Sequence, residues 1–108
     1  MDKDTVLKIV REFGRGLEKR GVIIDRLVLF GSYATGEYHE GSDIDLVVVS
    51  DAFAGKDHWE RMDVLDDVIY ELWQPIEATP FTVEEWNRGD SMIAEFARDG
   101  EVVCTSEG

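Results

Sequence analysis

Residues 27–49 read LVLFGSYATGEYHEGSDIDLVVV, and the two halves of that stretch decide how the rest of the chain is read. Leu27, Val28, Leu29 and Phe30 form an unbroken apolar run that stops at Gly31-Ser32, the pattern of a buried strand entering a turn. Residues 42–49 resume as a second strand, except that Asp43 and Asp45 interrupt its apolar series. Side chains alternate along a strand, so the two aspartates share one face while Ile44, Leu46 and Val48 take the other. Adjacent carboxylates repel, and burying either without a partner is costly. A divalent cation is the partner that holds both ionised. Hard ions such as Mg²⁺ take oxygen ligands, commonly one or two carboxylates together with substrate phosphates. The pairing points to metal-assisted phosphoryl or nucleotidyl transfer.

The turn between the strands supplies the phosphate side of such a reaction. Gly31 can take backbone angles closed to other residues and lets a phosphate approach the main chain. Ser32 adds a hydroxyl at a predicted helix start, where free N–H groups and the helix dipole favour anions. A Gly-Ser pair alone is most often a plain turn, and Asp-x-Asp alone a solvated strand end. The combination G-S-x10-D-x-D directly after a strand is specific.

With Gly31, Ser32, Asp43 and Asp45 in that pattern, the chain resembles the DNA polymerase β-like nucleotidyltransferase superfamily. Its shortness resembles the minimal nucleotidyltransferase branch, many of whose members are antitoxins encoded beside HEPN-domain toxins. The resemblance implies an α/β (α+β) nucleotidyltransferase fold, two Mg²⁺ ions held by the carboxylates, ATP as substrate, and a third carboxylate on a neighbouring strand. Glu77 is the residue that matches it. Residues 73–81 read as the third strand region, with Pro75 and Pro80 near its ends, where a missing N–H does least harm. Ile76 and Ala78 share one face of it, leaving Glu77 and Thr79 on the other. Set beside the aspartate strand, Glu77 would join Asp43 and Asp45; Glu71, in the preceding helix, is the fallback. The chain departs from many family members at Thr35, where they carry a basic residue, which removes a candidate phosphate contact. His39, between the strands, is a further candidate for a phosphate contact or a base.

Composition bounds these readings. The 108 residues suit a single domain, 1–108, with one modest core, and a hydrophobic fraction of 44% is ordinary for a globular protein. There are 24 acidic residues against 11 basic ones, a net charge of −13, which argues against a nucleic-acid-binding surface. Cys104 is the only cysteine, so an internal disulfide and a cysteine-based structural zinc site are excluded. The first residues lack the layout of a signal peptide, and no apolar run approaches the roughly 20 residues of a membrane-spanning helix. A cytoplasmic, membrane-free protein is expected.

The remaining elements follow in order. Residues 4–19 carry Val6, Val10, Phe13 and Leu17 at helical spacing, with Asp2 or Asp4 as cap, Gly14 and Gly16 as weak points and Gly21 as the stop. Residues 22–30 form the first strand. Asp57 and Glu60 make a capping box for a helix in which Trp59, Met62, Leu65, Ile69 and Leu72 are read as core, while Asp63, Asp66 and Asp67 face solvent. Thr82 and Glu85 form a second capping box for a helix carrying Trp86, Ile93, Phe96 and Ala97, which Gly89 can divide and Gly100 stops. Residues 101–104 read as a short final strand. A small mixed sheet with helices packed on one face, and the carboxylates on the open side, is the expected architecture.

The expected activity is transfer of a nucleoside monophosphate, AMP from ATP, to an acceptor hydroxyl, with Asp43, Asp45 and Glu77 as metal-binding and catalytic residues and Gly31 and Ser32 on the phosphates. The resemblance implies a tyrosine of a HEPN toxin as the acceptor; a homo-oligomer is compatible with the sequence. Two other readings stay open: a catalytically silent antitoxin that acts by contact, and a transferase for a small molecule.

Overall fold

The computed structural model describes residues 1–103. Its four strands, β1 (Arg26–Phe30), β2 (Ile44–Val49), β3 (Ile76–Phe81) and β4 (Glu101–Val102), form one mixed sheet in the order β3-β2-β1-β4. β1 runs antiparallel to β2 and β4, whereas β2 and β3 are parallel. The parallel pair needs a crossover, and the helix α3 (His58–Leu72) supplies it. The end of β1 and the beginnings of β2 and β3 therefore meet at one end of the sheet, which is where the candidate residues lie.

Helix α1 (Lys3–Lys19) forms where the apolar spacing predicts it, burying Val6, Val10, Phe13 and Leu17. Asp2 is its cap, accepting the Thr5 N–H at 2.8 Å. At the other end Gly21 takes φ +87°, and the Gly21 and Val22 N–H groups bond back to the Glu18 and Leu17 carbonyls. That closing bond explains why β1 begins at Arg26 and not at residue 22: Val22 still belongs to the helix terminus. Gly16, a weak point by helix propensity, has a packing role. A β-carbon there would lie 2.7 Å from Val68 Cγ1, so the glycine lets α1 approach α3 closely.

α1 and α3 cover one face of the sheet. Leu27, Leu29, Ile44, Leu46, Val48, Ile76 and Ala78 point into them, together with Leu65 and Val68 of α3. The small mixed sheet with its long helices on one face is as expected, but the opposite face is covered in part too. Helices α4 (Val83–Arg88) and α5 (Met92–Ala97) place Trp86, Ala94 and Ala97 against Val28, Val47, Val49 and Phe81. The reason lies in strand alternation: the residues sharing a face with Asp45 further along β2 are valines, and exposing them would forfeit their burial energy. At the carboxylate end of that face Glu77 stays exposed and Asp45 is half-buried.

Both capping boxes are formed, by Asp57 with Glu60 and by Thr82 with Glu85. Gly89 does divide the last helical segment, with Ser91 capping its second half. Glu85 also takes a bidentate pair from Arg61 at 2.7 and 3.2 Å, tying α4 to α3, and its carboxyl is held down at about 2, chiefly by that bond. Trp59 differs from expectation: Leu65 and Val68 fill the buried stripe of α3, and Trp59 points to solvent. Phe96 is likewise exposed, because α5 turns its two alanines inward. Cys104, the last residue of the expected final strand, lies outside the described residues.

Candidate active site

The ladder between β1 and β2 sets Phe30 opposite Asp45, so Gly31 comes out of β1 directly against that aspartate. A β-carbon on Gly31 would collide with Asp45 Oδ2, and the backbone there has φ +75° and ψ −154°. That region is open in practice to glycine alone. Two independent demands thus require glycine at this position: backbone conformation and the space the carboxylate occupies. Ser32 follows as the first residue of the short helix α2 (Ser32–Thr35), half-buried beside Gly31. The first N–H groups of a helix have no partner within it, which leaves polar groups of this turn beside the aspartate.

On the other side of β2, the parallel ladder pairs Asp45 with Glu77. Both are on the sheet face away from α1 and α3, since their neighbours Ile44, Leu46, Ile76 and Ala78 all enter the core on the other side. Asp43 precedes the first residue of β2 and is exposed. β2 begins at Ile44 rather than at residue 42 because Ser42 closes a turn: its N–H bonds to the His39 carbonyl and its hydroxyl accepts the His39 N–H at 2.9 Å. Asp43 is therefore held on a short tether between that turn and the strand.

The electrostatics mark Asp45 as the centre of the group. Its carboxyl is raised from 3.8 to about 6, first by burial, then by the charges of Glu77 and Asp43 and by a side-chain hydrogen bond with Glu77. Among the described residues no three acids, histidines or cysteines converge on a single point as the side chains stand. Mutual repulsion acts against such convergence when nothing positive lies between the carboxylates. The donor set itself, three carboxylates with one ionising against its surroundings, fits a hard divalent cation, which would relieve the excess negative charge.

The other sequence candidates fall outside this group. His39 Nδ1 is spent on the Glu40 carbonyl at 2.7 Å within its own turn. Thr35 is exposed, and its hydroxyl bonds the Ser32 carbonyl at 3.4 Å; α2 carries no basic residue. Glu71 is committed to Arg20 at 2.6 Å, which removes the fallback. A hollow of about 420 Å³ lined by Arg20, Phe53, Lys56, Val64 and Asp67 lies at the opposite end of the sheet and shares no residue with the carboxylates. Sequence reading missed Tyr33, fully buried beneath the turn and stacked on Tyr38 at 4.7 Å between ring centroids, which braces the segment linking Ser32 to Asp43. Its aromatic pair at residues 33 and 38 was the available signal.

Known proteins resemble this chain in sequence and in fold. The sequence profile of the nucleotidyltransferase domain family matches residues 5–92. Over 46 residues, 41% of the chain, it is 48% identical to "Putative protein adenylyltransferase MJ0604" of Methanocaldococcus jannaschii, and over 47 residues 36% identical to MJ0141 of the same name and organism. These matches span 45% and 46% of the two relatives, so less than half of either is represented here. The fold is similar to that of the crystal structure of a "putative nucleotidyltransferase" from Sulfolobus solfataricus, with a TM-score of 0.71 and 20% identity over 93% of this chain and 80% of that one. It is also similar to a structure described as a toxin-antitoxin with AMP-PNP, with a TM-score of 0.55 and 20% identity over 99% of this chain and 76% of that one.

Proposed function

Because this chain belongs to the nucleotidyltransferase domain family, we propose that it transfers AMP from ATP to a hydroxyl of a partner protein, a tyrosine of a HEPN-domain toxin, using Mg²⁺. The observation that carries the reading is the meeting of Gly31, Asp45 and Glu77 at one end of the sheet, with Asp43 and Ser32 beside them. The names of the two archaeal relatives support a protein acceptor and AMP as the transferred group. The structural neighbour, a toxin-antitoxin with AMP-PNP, supports a toxin as partner and a nucleoside triphosphate as ligand.

Asp43, Asp45 and Glu77 would hold the two metal ions, whose contribution when bound is to neutralise the carboxylates and draw charge from the phosphates. The Ser32 hydroxyl and the N–H groups of its turn bind the outer phosphates, with Gly31 leaving the main chain bare for their approach. The absence of a cation on α2 makes the triphosphate depend more heavily on the carboxylate end. Glu77, exposed at the start of β3, accepts the proton of the incoming hydroxyl. The hydroxyl oxygen forms a bond to the α-phosphorus in line with the departing oxygen, the bond to pyrophosphate breaks, and Glu77 returns its proton to solvent.

The test is intact-mass measurement of the protein encoded by the neighbouring reading frame after incubation with this chain, Mg²⁺ and ATP. A gain of one or more AMP units, lost with Asp43→Asn or Glu77→Ala, is expected. Silencing of that protein with no gain in mass, equally well by Asp43→Asn, would assign the chain to inhibition by contact.

A further inference from the structure

Helix α3 delivers the chain to β3, and its outer face is lined with aromatic side chains that the core does not use. Leu65 and Val68 define the buried side of the helix. Positions 59, 63, 66 and 70 return to the opposite side, because residues three, four, seven and eleven apart lie close together around a helix of 3.6 residues per turn. Trp59 is 76% exposed and Tyr70 71% exposed. Trp73, which ends the helix, is 83% exposed and is the one described residue other than glycine with positive φ, +56°. That left-handed cap position favours glycine or asparagine. A tryptophan there is held at a conformational cost that its own burial does not offset.

The stripe has a direction. From Trp59 to Trp73 it runs about 21 Å at the helical rise per residue. It ends four residues before Glu77, and the Pro75 carbonyl in between accepts the Ile44 N–H at 2.8 Å, next to Asp43. Aromatic anchors of this kind, large and rigid, are the side chains that dominate protein interfaces.

The charges on the stripe select the occupant. Asp63 and Asp66 lie between the aromatic residues, with Asp67 alongside. The basic residue Arg61 is turned away to Glu85. Two copies of this face would bring like charges together, in a protein whose net charge is already −13. The complementary surface is basic and carries apolar side chains between its cations.

We propose that the outer face of α3, Trp59, Tyr70 and Trp73 with Asp63 and Asp66 among them, docks a basic, apolar-bearing surface of the protein that receives the nucleotide. Docking there aims the acceptor at the carboxylate end of the sheet. The proposal rests on the protein-acceptor reading above.

The test measures binding apart from transfer. The purified product of the neighbouring reading frame is titrated calorimetrically into the Asp43→Asn chain without Mg²⁺ or nucleotide. Trp59→Ala and Tyr70→Ala should each weaken binding at least ~10-fold, as interface anchors do. Asp63→Lys with Asp66→Lys should weaken it further, and added salt should weaken the parent complex. Phe96→Ala, which removes an exposed aromatic residue from α5, should leave the affinity within about two-fold, with thermal melts confirming that each variant is folded. Folded stripe variants that bind as tightly as the parent overturn the proposal, as does the absence of a complex. A dimer of this chain that Trp59→Ala dissociates also overturns it, by giving the face to a second copy. Intact mass of the same pair with Mg²⁺ and ATP on the Asp43 protein keeps the two readings apart. AMP transfer with stripe-independent binding defeats only the docking surface. Stripe-dependent binding without transfer upholds the surface and defeats the transferase reading.

Discussion

A methyl group on Gly31 would press on the Asp45 side chain. It would overlap Asp45 Oδ2, and the backbone angles already belong to glycine alone. Gly31→Ala is therefore expected to abolish nucleotide transfer and to lower stability by about 1–3 kcal/mol, the usual cost of a residue forced into such a region; a fully active alanine variant would remove the turn from the site. Asp45 gives the pH prediction. With its carboxyl raised to about 6 in the folded state, its charge opposes folding above that pH. The penalty fades as pH falls from about 6 towards 3.8, below which the group is protonated folded or unfolded. Asp45→Asn in metal-free protein should thus raise the melting temperature at pH 7.5. Solvent screening of this partly exposed group limits the effect to on the order of 1 kcal/mol. The gap between variant and parent should close near pH 4; a gap that persists there would mean that charge is not its origin.

At the scale of elements, the contact of α1 with α3 sets two physical effects against each other. Alanine in place of Gly16 gains up to about 1 kcal/mol of helix propensity. Its β-carbon, however, would lie 2.7 Å from Val68 Cγ1, a buried β-branched side chain with little freedom to move. Overpacking of this sort costs typically about 1–3 kcal/mol, so Gly16→Ala is expected to destabilise by roughly 1 kcal/mol net in denaturant titration. A stabilised variant would show that the two helices can separate without loss. The helix ends, by contrast, were readable residue by residue. Asp57 with Glu60 and Thr82 with Glu85 form the boxes their spacing announces, because a capping box is built from residues three apart in one segment.

For the molecule as a whole, the clustered carboxylates make stability depend on ligand. Mg²⁺-ATP at 100 times its dissociation constant should add about 2.7 kcal/mol, seen as a rise in melting temperature. Asp43→Asn with Asp45→Asn should remove that response while leaving the metal-free protein as stable or more so, since the repulsion is relieved. A double variant that still responds fully would move the metal site elsewhere. Among the described residues no helix is long and apolar enough to cross a membrane.

What the sequence determined by itself is local or periodic. The alternation of Asp43 to Val49, the apolar spacing of α1, the caps, and the break at Gly89 each depend on residues a few positions apart, so they could be read without knowing the fold. The resemblance to the nucleotidyltransferase family is carried by Gly31, Ser32, Asp43 and Asp45, which also lie within one short stretch. What only the tertiary structure decided depends on which surfaces meet. Glu77 stands opposite Asp45 because β3 is parallel to β2 in that register, and the sequence of either strand is silent on the pairing. The cover of the second sheet face by α4 and α5, and the exposure of Trp59 and Phe96, follow from where each helix finds its partner. Periodicity shows that a helix has an apolar stripe; packing chooses which side of an aromatic-rich helix is turned inward. On α3 it chose Leu65 and Val68, and left the tryptophan outside.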